Sequence, residues 1–343
     1  MCKKSTCSLL LVSFGFLLVT SIIAHAGLAP IETEEVSSHA PYSDGQCEMC
    51  HDLETPAGGD SPGKVPDDLN AVCAGCHFDL DETLKASKVV HEPINMGCTT
   101  CHNPHSSNHP HLLLDQPPNL CLECHGDIQD VTNAKIKHQP VTENGACLNC
   151  HTPHASDTER LLTVPLFDLC LSCHSQENWR SERDGRPLTN FGQRLADANL
   201  HQHYPVADKD CGACHLVHGS DQASLLAAAY PAGFYSLYDP ENYALCFNCH
   251  DPSGMAEPET ATATNFRDGS RNLHYLHVNK SERGRTCRAC HEVHAAENNH
   301  QIRKAVPYGP RNWPLSLNYT ETATGGSCAK TCHQTKTYDN TRK

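Results

Sequence analysis

The chain has 343 residues, among them 22 cysteines and 25 histidines, with a formal charge of −14. Hydrophobic residues make up 38%, about 32% without cysteine, which is thin for two ordinary cores of this length. The acidic balance excludes a basic nucleic-acid binder, and the cysteine and histidine content argues against simple disorder.

Residues 1–26 read as an export signal. Lys3 and Lys4 precede an apolar run from Leu9 to Ala24, and Ala24-His25-Ala26 is a small-x-small cleavage site before Gly27. The run of about 16 residues is interrupted by Ser13, Gly15, Thr20 and Ser21, which is short for a spanning helix. Neither Cys2 nor Cys7 has the apolar residues in front of it that a lipoprotein signal places there. The expected mature chain, 27–343, has no later apolar stretch long enough to cross a bilayer.

Its 20 cysteines form ten pairs, each followed at once by histidine. They are Cys47/Cys50/His51, Cys73/Cys76/His77, Cys98/Cys101/His102, Cys121/Cys124/His125 and Cys147/Cys150/His151. Next come Cys170/Cys173/His174, Cys211/Cys214/His215, Cys246/Cys249/His250 and Cys287/Cys290/His291. The last, Cys328/Cys332/His333, has three residues between its cysteines where the others have two. Cysteines three apart lie about a helical turn from each other, so both sulfurs can form thioethers to the vinyl groups of one haem, and the adjacent histidine meets the iron. Disulfides would not require a histidine after every second cysteine. Ten covalent c-type haems are expected, the widened motif included.

Fourteen histidines of the mature chain lie outside the motifs, enough to give each iron a sixth ligand. Methionine is too scarce, with only Met49, Met96 and Met255, so bis-histidine coordination and low potentials follow. Four histidines stand three residues after a motif histidine: His105, His154, His218 and His294. At that spacing a second imidazole cannot easily reach the far face of the same haem, so each is expected on a different one. A second set, His39, His91, His138, His203 and His277, precedes the first motif of each repeat by seven to ten residues. Proline follows closely in HAPY, HEPI, HQPV and HYPV, and is expected to fix an extended segment that holds the imidazole. The tenth distal ligand is open among His109, His111, His201, His274 and His300.

The repeating unit is a pair of motifs, and five such units span about 39–77, 91–125, 138–174, 201–250 and 274–333. The first departs from the others, because CHDLETP lacks the histidine three residues on. Later units carry insertions at about 178–200, 226–243 and 295–326. Their Trp179, Phe191, Phe234, Tyr235, Tyr238, Tyr308 and Trp313 are expected to pack haem and anchor loops.

From about His39 to His333 the chain resembles the doubled-CxxCH multihaem cytochromes, and HQPVTENGACLNCHTPHAS with the motif count is similar to decahaem cytochromes of the MtrA/DmsE type. The resemblance implies a place at the periplasm and outer membrane or the extracellular surface. It also implies other multihaem cytochromes and an outer-membrane β-barrel porin as partners. Related doubled-motif proteins are soluble carriers or polymerise from copies of themselves into extracellular filaments.

The expected fold is a multihaem cytochrome, mostly loops and short α-helices wrapped around a chain of ten haems, with little or no β-sheet. Without haem no stable fold is expected. Single-electron transport is the leading function, a filament-forming conductor the second. A multihaem reductase would need an iron with an open position, which the histidine supply argues against. Residues 27–264 carry 11 Lys/Arg against 34 Asp/Glu, whereas 265–343 carry 13 against 6. The basic C-terminal end, with Arg283, Arg285 and Arg288, is a candidate docking surface for an acidic partner or a further copy.

Overall fold

The computed structural model describes residues 37–54, 63–143, 146–180, 185, 187–309, 311–328 and 332–343. The export signal of residues 1–26 and residues 329–331 inside the tenth motif lie outside them.

Local structure starts at the motifs. In eight of them the backbone N–H of the second cysteine reaches the carbonyl of the first at 3.1–3.3 Å, and the N–H of the histidine reaches the same carbonyl at 2.9–3.1 Å. This turn brings both sulfurs and the imidazole to one side of the chain. First motifs of units make single 3₁₀ turns, as at Cys47–Met49, Cys98–Thr100, Cys211–Ala213 and Cys287–Ala289. Second motifs close α-helices instead: Leu69–Ala74, Asn119–Leu122, Leu166–His174 and Ala244–Phe247. The longest helices among the described residues, Phe78–Ala86 and Leu166–His174, have nine residues each. Helices this short are marginal in isolation, so tertiary contacts hold them.

Consecutive units are stitched by two-residue antiparallel pairs. Ser37–Ser38 pairs with Ser106–Ser107, Val89–Val90 with Ala155–Ser156, Ile136–Lys137 with Gly219–Ser220, and His201–Gln202 with Ala295–Ala296. In each pair the strand ahead of one unit's leading histidine meets the strand that follows the histidine three residues after the next unit's first motif. Each leading histidine then donates its own N–H to the carbonyl of that later histidine: His39 to His105, His91 to His154, His138 to His218 and His203 to His294, at 2.8–3.3 Å.

Short helices are present as expected, but sheet is not absent. It sits at these joints, in the hairpin of Arg267–Asp268 with Arg271–Asn272, and in the last insertion and the C-terminus, where Ala305–Tyr308 pairs with Trp313–Ser316 and Thr320–Thr322, Gly325–Cys328 and Lys336–Asp339 form a three-stranded sheet. The reason at the joints is geometric: joining units requires backbone contact between segments 65–95 residues apart, and antiparallel pairing satisfies both segments' polar groups. The proline also acts differently from expectation. His39, His91, His138 and His203 are themselves extended and stand as N-caps, and the proline occupies the first turn of the short helix that follows, where its missing N–H costs nothing.

Buried apolar side chains are few among the described residues, and most are small: Ala146, Ala155, Ala289, Ala295 and Ala296, with Leu162, Val278, Val306 and Tyr243. One cavity of about 4080 Å³ runs along the molecule, and residues of every motif line it.

Candidate metal centres

The histidines meet in pairs. Each leading histidine faces the second-motif histidine of its own unit: His39 with His77, His91 with His125, His138 with His174, His203 with His250 and His277 with His333. Each histidine three residues past a first motif faces backwards, to the first-motif histidine of the preceding unit: His105 with His51, His154 with His102, His218 with His151 and His294 with His215. Ring centroids in these nine pairs are 6.0–6.4 Å apart, and in seven the planes lie within 23°.

That spacing fits two ligands on one ion. An imidazole nitrogen binds a first-row metal ion at about 2.0–2.1 Å, and the ring centre lies about 1.1 Å beyond it, so two imidazoles on opposite sides of one ion place their centroids about 6.3 Å apart. Among the described residues no group of three or more His, Cys, Asp or Glu converges as a metal site. Each pair would supply two imidazoles to one ion. With two cysteines beside each motif histidine, the donor set fits haem c.

The ring nitrogens are assigned by their partners. A carbonyl can only accept, so each Nδ1 facing one carries its proton and leaves Nε2 for metal. His51, His102, His151, His215 and His291 donate from Nδ1 to the carbonyls of Gly63, His111, Arg160, Ser224 and His300 at 2.8–3.1 Å. His39, His91 and His277 donate to Pro104, Pro153 and Leu273, and His333 to Gln334. Burial lowers the pKa of His105, His138, His154, His203 and His218, which favours the neutral, ligating form.

The remaining motif histidine, His291, is in the fifth unit, and its Nδ1 faces the His300 carbonyl. The fifth unit turns to the helix Leu273–Val278, whose His277 faces His333 and whose His274, one turn earlier, is buried within electrostatic reach of His291. Burial first, then His291 and His277, hold the His274 pKa down to about 4. Its Nδ1 is 3.0 Å from the Thr264 hydroxyl, and Phe266 packs edge-on against it at 5.1 Å. The other four candidates for the tenth ligand are engaged elsewhere. His111 and His300 are turn residues that serve through their carbonyls, His201 lies in a joint strand and His109 sits 3.8 Å from Asp115.

Those turns escaped the reading of the sequence. Residues 111–112, 160–161, 224–225 and 300–301 are consecutive left-handed pairs with φ of 53–60°, and none is glycine. Asparagine or glycine would have signalled them; His, Arg, Ser, Leu and Gln do not. Of the insertion aromatics, Trp179 and Phe191 pack edge-on against His174 and Phe191 also against His294. Phe234, Tyr235 and Tyr308 form a cluster of their own, Tyr238 lies against Tyr243, and Trp313 is 66% exposed on its hairpin.

The cysteines run in order. Across each joint a second-motif thiol contacts a first-motif thiol: Cys73 with Cys98, Cys121 with Cys147, Cys170 with Cys211 and Cys246 with Cys287. Within units, burial and then the neighbouring thiolate raise the pKa of Cys101, Cys150, Cys214 and Cys290, the neighbours being Cys124, Cys173, Cys246 and Cys328. Cys50 likewise acts on Cys73. Successive motifs are thus spatial neighbours from first to last.

The doubled CXXCH motif family matches at residues 39–82, 91–130, 138–178 and 203–255, more than half of the chain. The chain belongs to that family of multihaem c-type cytochromes. The doubled-motif cytochrome is also similar to the multihaem cytochrome MtrA of Shewanella baltica (strain OS185), with 29% identity over 112 residues, 30% of this chain and 33% of that protein. The match thus spans about a third of that relative's length. The fifth unit lies beyond the family match, yet its first motif repeats the same turn, joint strand and histidine spacing.

Proposed function

We propose that this cytochrome binds ten haems, each between two histidines, and carries single electrons along them. The carrying observation is the set of nine histidine pairs, each joining one motif histidine to one non-motif histidine at the separation of two ligands on one ion. His274 is the tenth distal ligand, opposite His291. Bound haem iron supplies a one-electron ferric–ferrous couple, and bis-imidazole ligation keeps it at low potential. The chain's part is to hold both Nε2 atoms in place through Nδ1 bonds and to keep adjacent sites close enough for tunnelling.

The export signal and the similarity to an MtrA-type protein support action beyond the inner membrane, with other multihaem cytochromes as electron partners and an outer-membrane barrel as housing. No helix among the described residues is long and apolar enough to cross a membrane. Arg283 and Arg288 are exposed and Arg285 half-buried, so the basic end presents charge to an acidic partner. The deciding experiment is intact-mass analysis of the exported protein with electron paramagnetic resonance. Ten haem adducts, all low-spin when oxidised, are expected. Fewer adducts, or a high-spin signal in the intact protein, would overturn the ten-site reading.

A further inference from the structure

Four units share one loop plan after the first motif. The residue following the motif histidine donates its N–H into the left-handed turn: Asn103 to Leu112, Thr152 to Leu161, Leu216 to Leu225 and Glu292 to Gln301. Two residues past the turn, Leu114, Thr163, Ala227 and Arg303 donate back to the second cysteine's carbonyl. These two positions are uncharged in units two to four and carry an acid and a base in unit five. Glu292 and Arg303 form an ion pair at 3.0 Å, with side chains 15% and 9% exposed. Arg303 also donates from Nε to the His291 carbonyl at 2.8 Å, which fixes the guanidinium.

The other Glu292 oxygen faces Nδ1 of His294 at 3.5 Å. The first-motif histidines and His39, His91 and His277 place Nδ1 against carbonyl oxygens, whereas His294 faces a carboxylate. A carboxyl held against the Arg303 guanidinium carries its negative charge at neutral pH. Arg194 donates to the nearby Ala295 carbonyl and adds a second cation within electrostatic reach of the carboxylate. A carboxylate behind a ligating imidazole makes that ligand more basic and favours the more highly charged ferric ion.

We infer that Glu292, oriented by Arg303, lowers the reduction potential of the haem held between His215 and His294, making it a tuning residue for the seventh site of the file. This rests on the ligand pairs proposed above. Arg303 positions the carboxylate and lies on the His291 side of the pair, so the pair's negative end is turned to the seventh site and its positive end to the ninth.

The test uses the full exported, haem-loaded protein and spectroelectrochemical titration. Glu292→Gln is expected to raise the midpoint of one haem in ten by about tenfold in its ferric–ferrous ratio, about 59 mV for one electron. The other nine should keep their midpoints, apart from a smaller change at the ninth. Titration curves that superimpose on wild type, or a downward shift, would overturn the inference. Should Glu292→Gln fail to mature, Leu216→Glu combined with Ala227→Arg grafts the pair into unit four beside His218. The graft should lower one midpoint, that of the site between His151 and His218, and no shift there would also overturn it. Failure of the ligand reading is distinguishable: it would show as high-spin or carbon monoxide-binding haem in the wild-type protein itself.

Discussion

Replacing His274 with alanine tests the closure of the terminal unit. The substitution removes the Thr264 hydrogen bond, worth about 1 kcal/mol, and the edge contact with Phe266, worth about 0.5–1.5 kcal/mol. The vacated imidazole volume adds a cavity cost of about 1–2 kcal/mol. The local loss of about 3–4 kcal/mol falls on the helix Leu273–Val278, which lies in no other unit's joint, so the first four units should stay intact. The more specific consequence is an open sixth position at one iron in ten. Reduced wild type should bind no carbon monoxide, and reduced His274→Ala should bind one molecule per chain, with about one tenth of the haem absorbance shifting. His300→Ala and His111→Ala are the controls, because those residues hold His291 and His102 through backbone carbonyls that alanine retains. A His274→Ala protein that binds none, or a control that binds one, would refute the assignment.

Arg160→Gly should stabilise the third unit by up to about 1 kcal/mol, since its φ of 60° crowds a Cβ, and denaturant midpoints would measure it. Gly219→Ala should loosen the joint between units three and four. Its Cβ would stand 2.4 Å from the Val131 carbonyl oxygen, which cannot move aside, so a loss of about 1–3 kcal/mol and faster limited proteolysis near 136–137 and 219–220 are expected. Glu292, whose pKa is lowered from 4.5 to about 2, contributes stability that is fully present above about pH 4.5 and lost as pH falls through about 2. That contribution is about 3 kcal/mol, so the stability difference between wild type and Glu292→Gln should vanish by pH 2 in an acid series.

Attachment chemistry and unit count were legible in the residues themselves. A Cys-x-x-Cys-His turn is local: its cysteines and histidine are brought together by hydrogen bonds that span three or four residues, so spacing alone predicts it. The histidines three past a motif stood out by a fixed offset, and the leading histidines by a narrow one of seven to ten residues. What no offset could show is which histidine meets which. His105 and His51 are separated by a whole unit, and their meeting depends on the joint between Ser37–Ser38 and Ser106–Ser107. The role of proline and the sheet at the joints belong to that same long-range contact. His274 and His300 are alike in the sequence, both unassigned histidines of the fifth unit. Only the folded chain separates them, burying one imidazole with Nδ1 on Thr264 and leaving the other in a left-handed turn with its ring against Glu321. Local turns are decided by covalent reach, and ligand pairing is decided by how the units stack, which is a property of the whole chain.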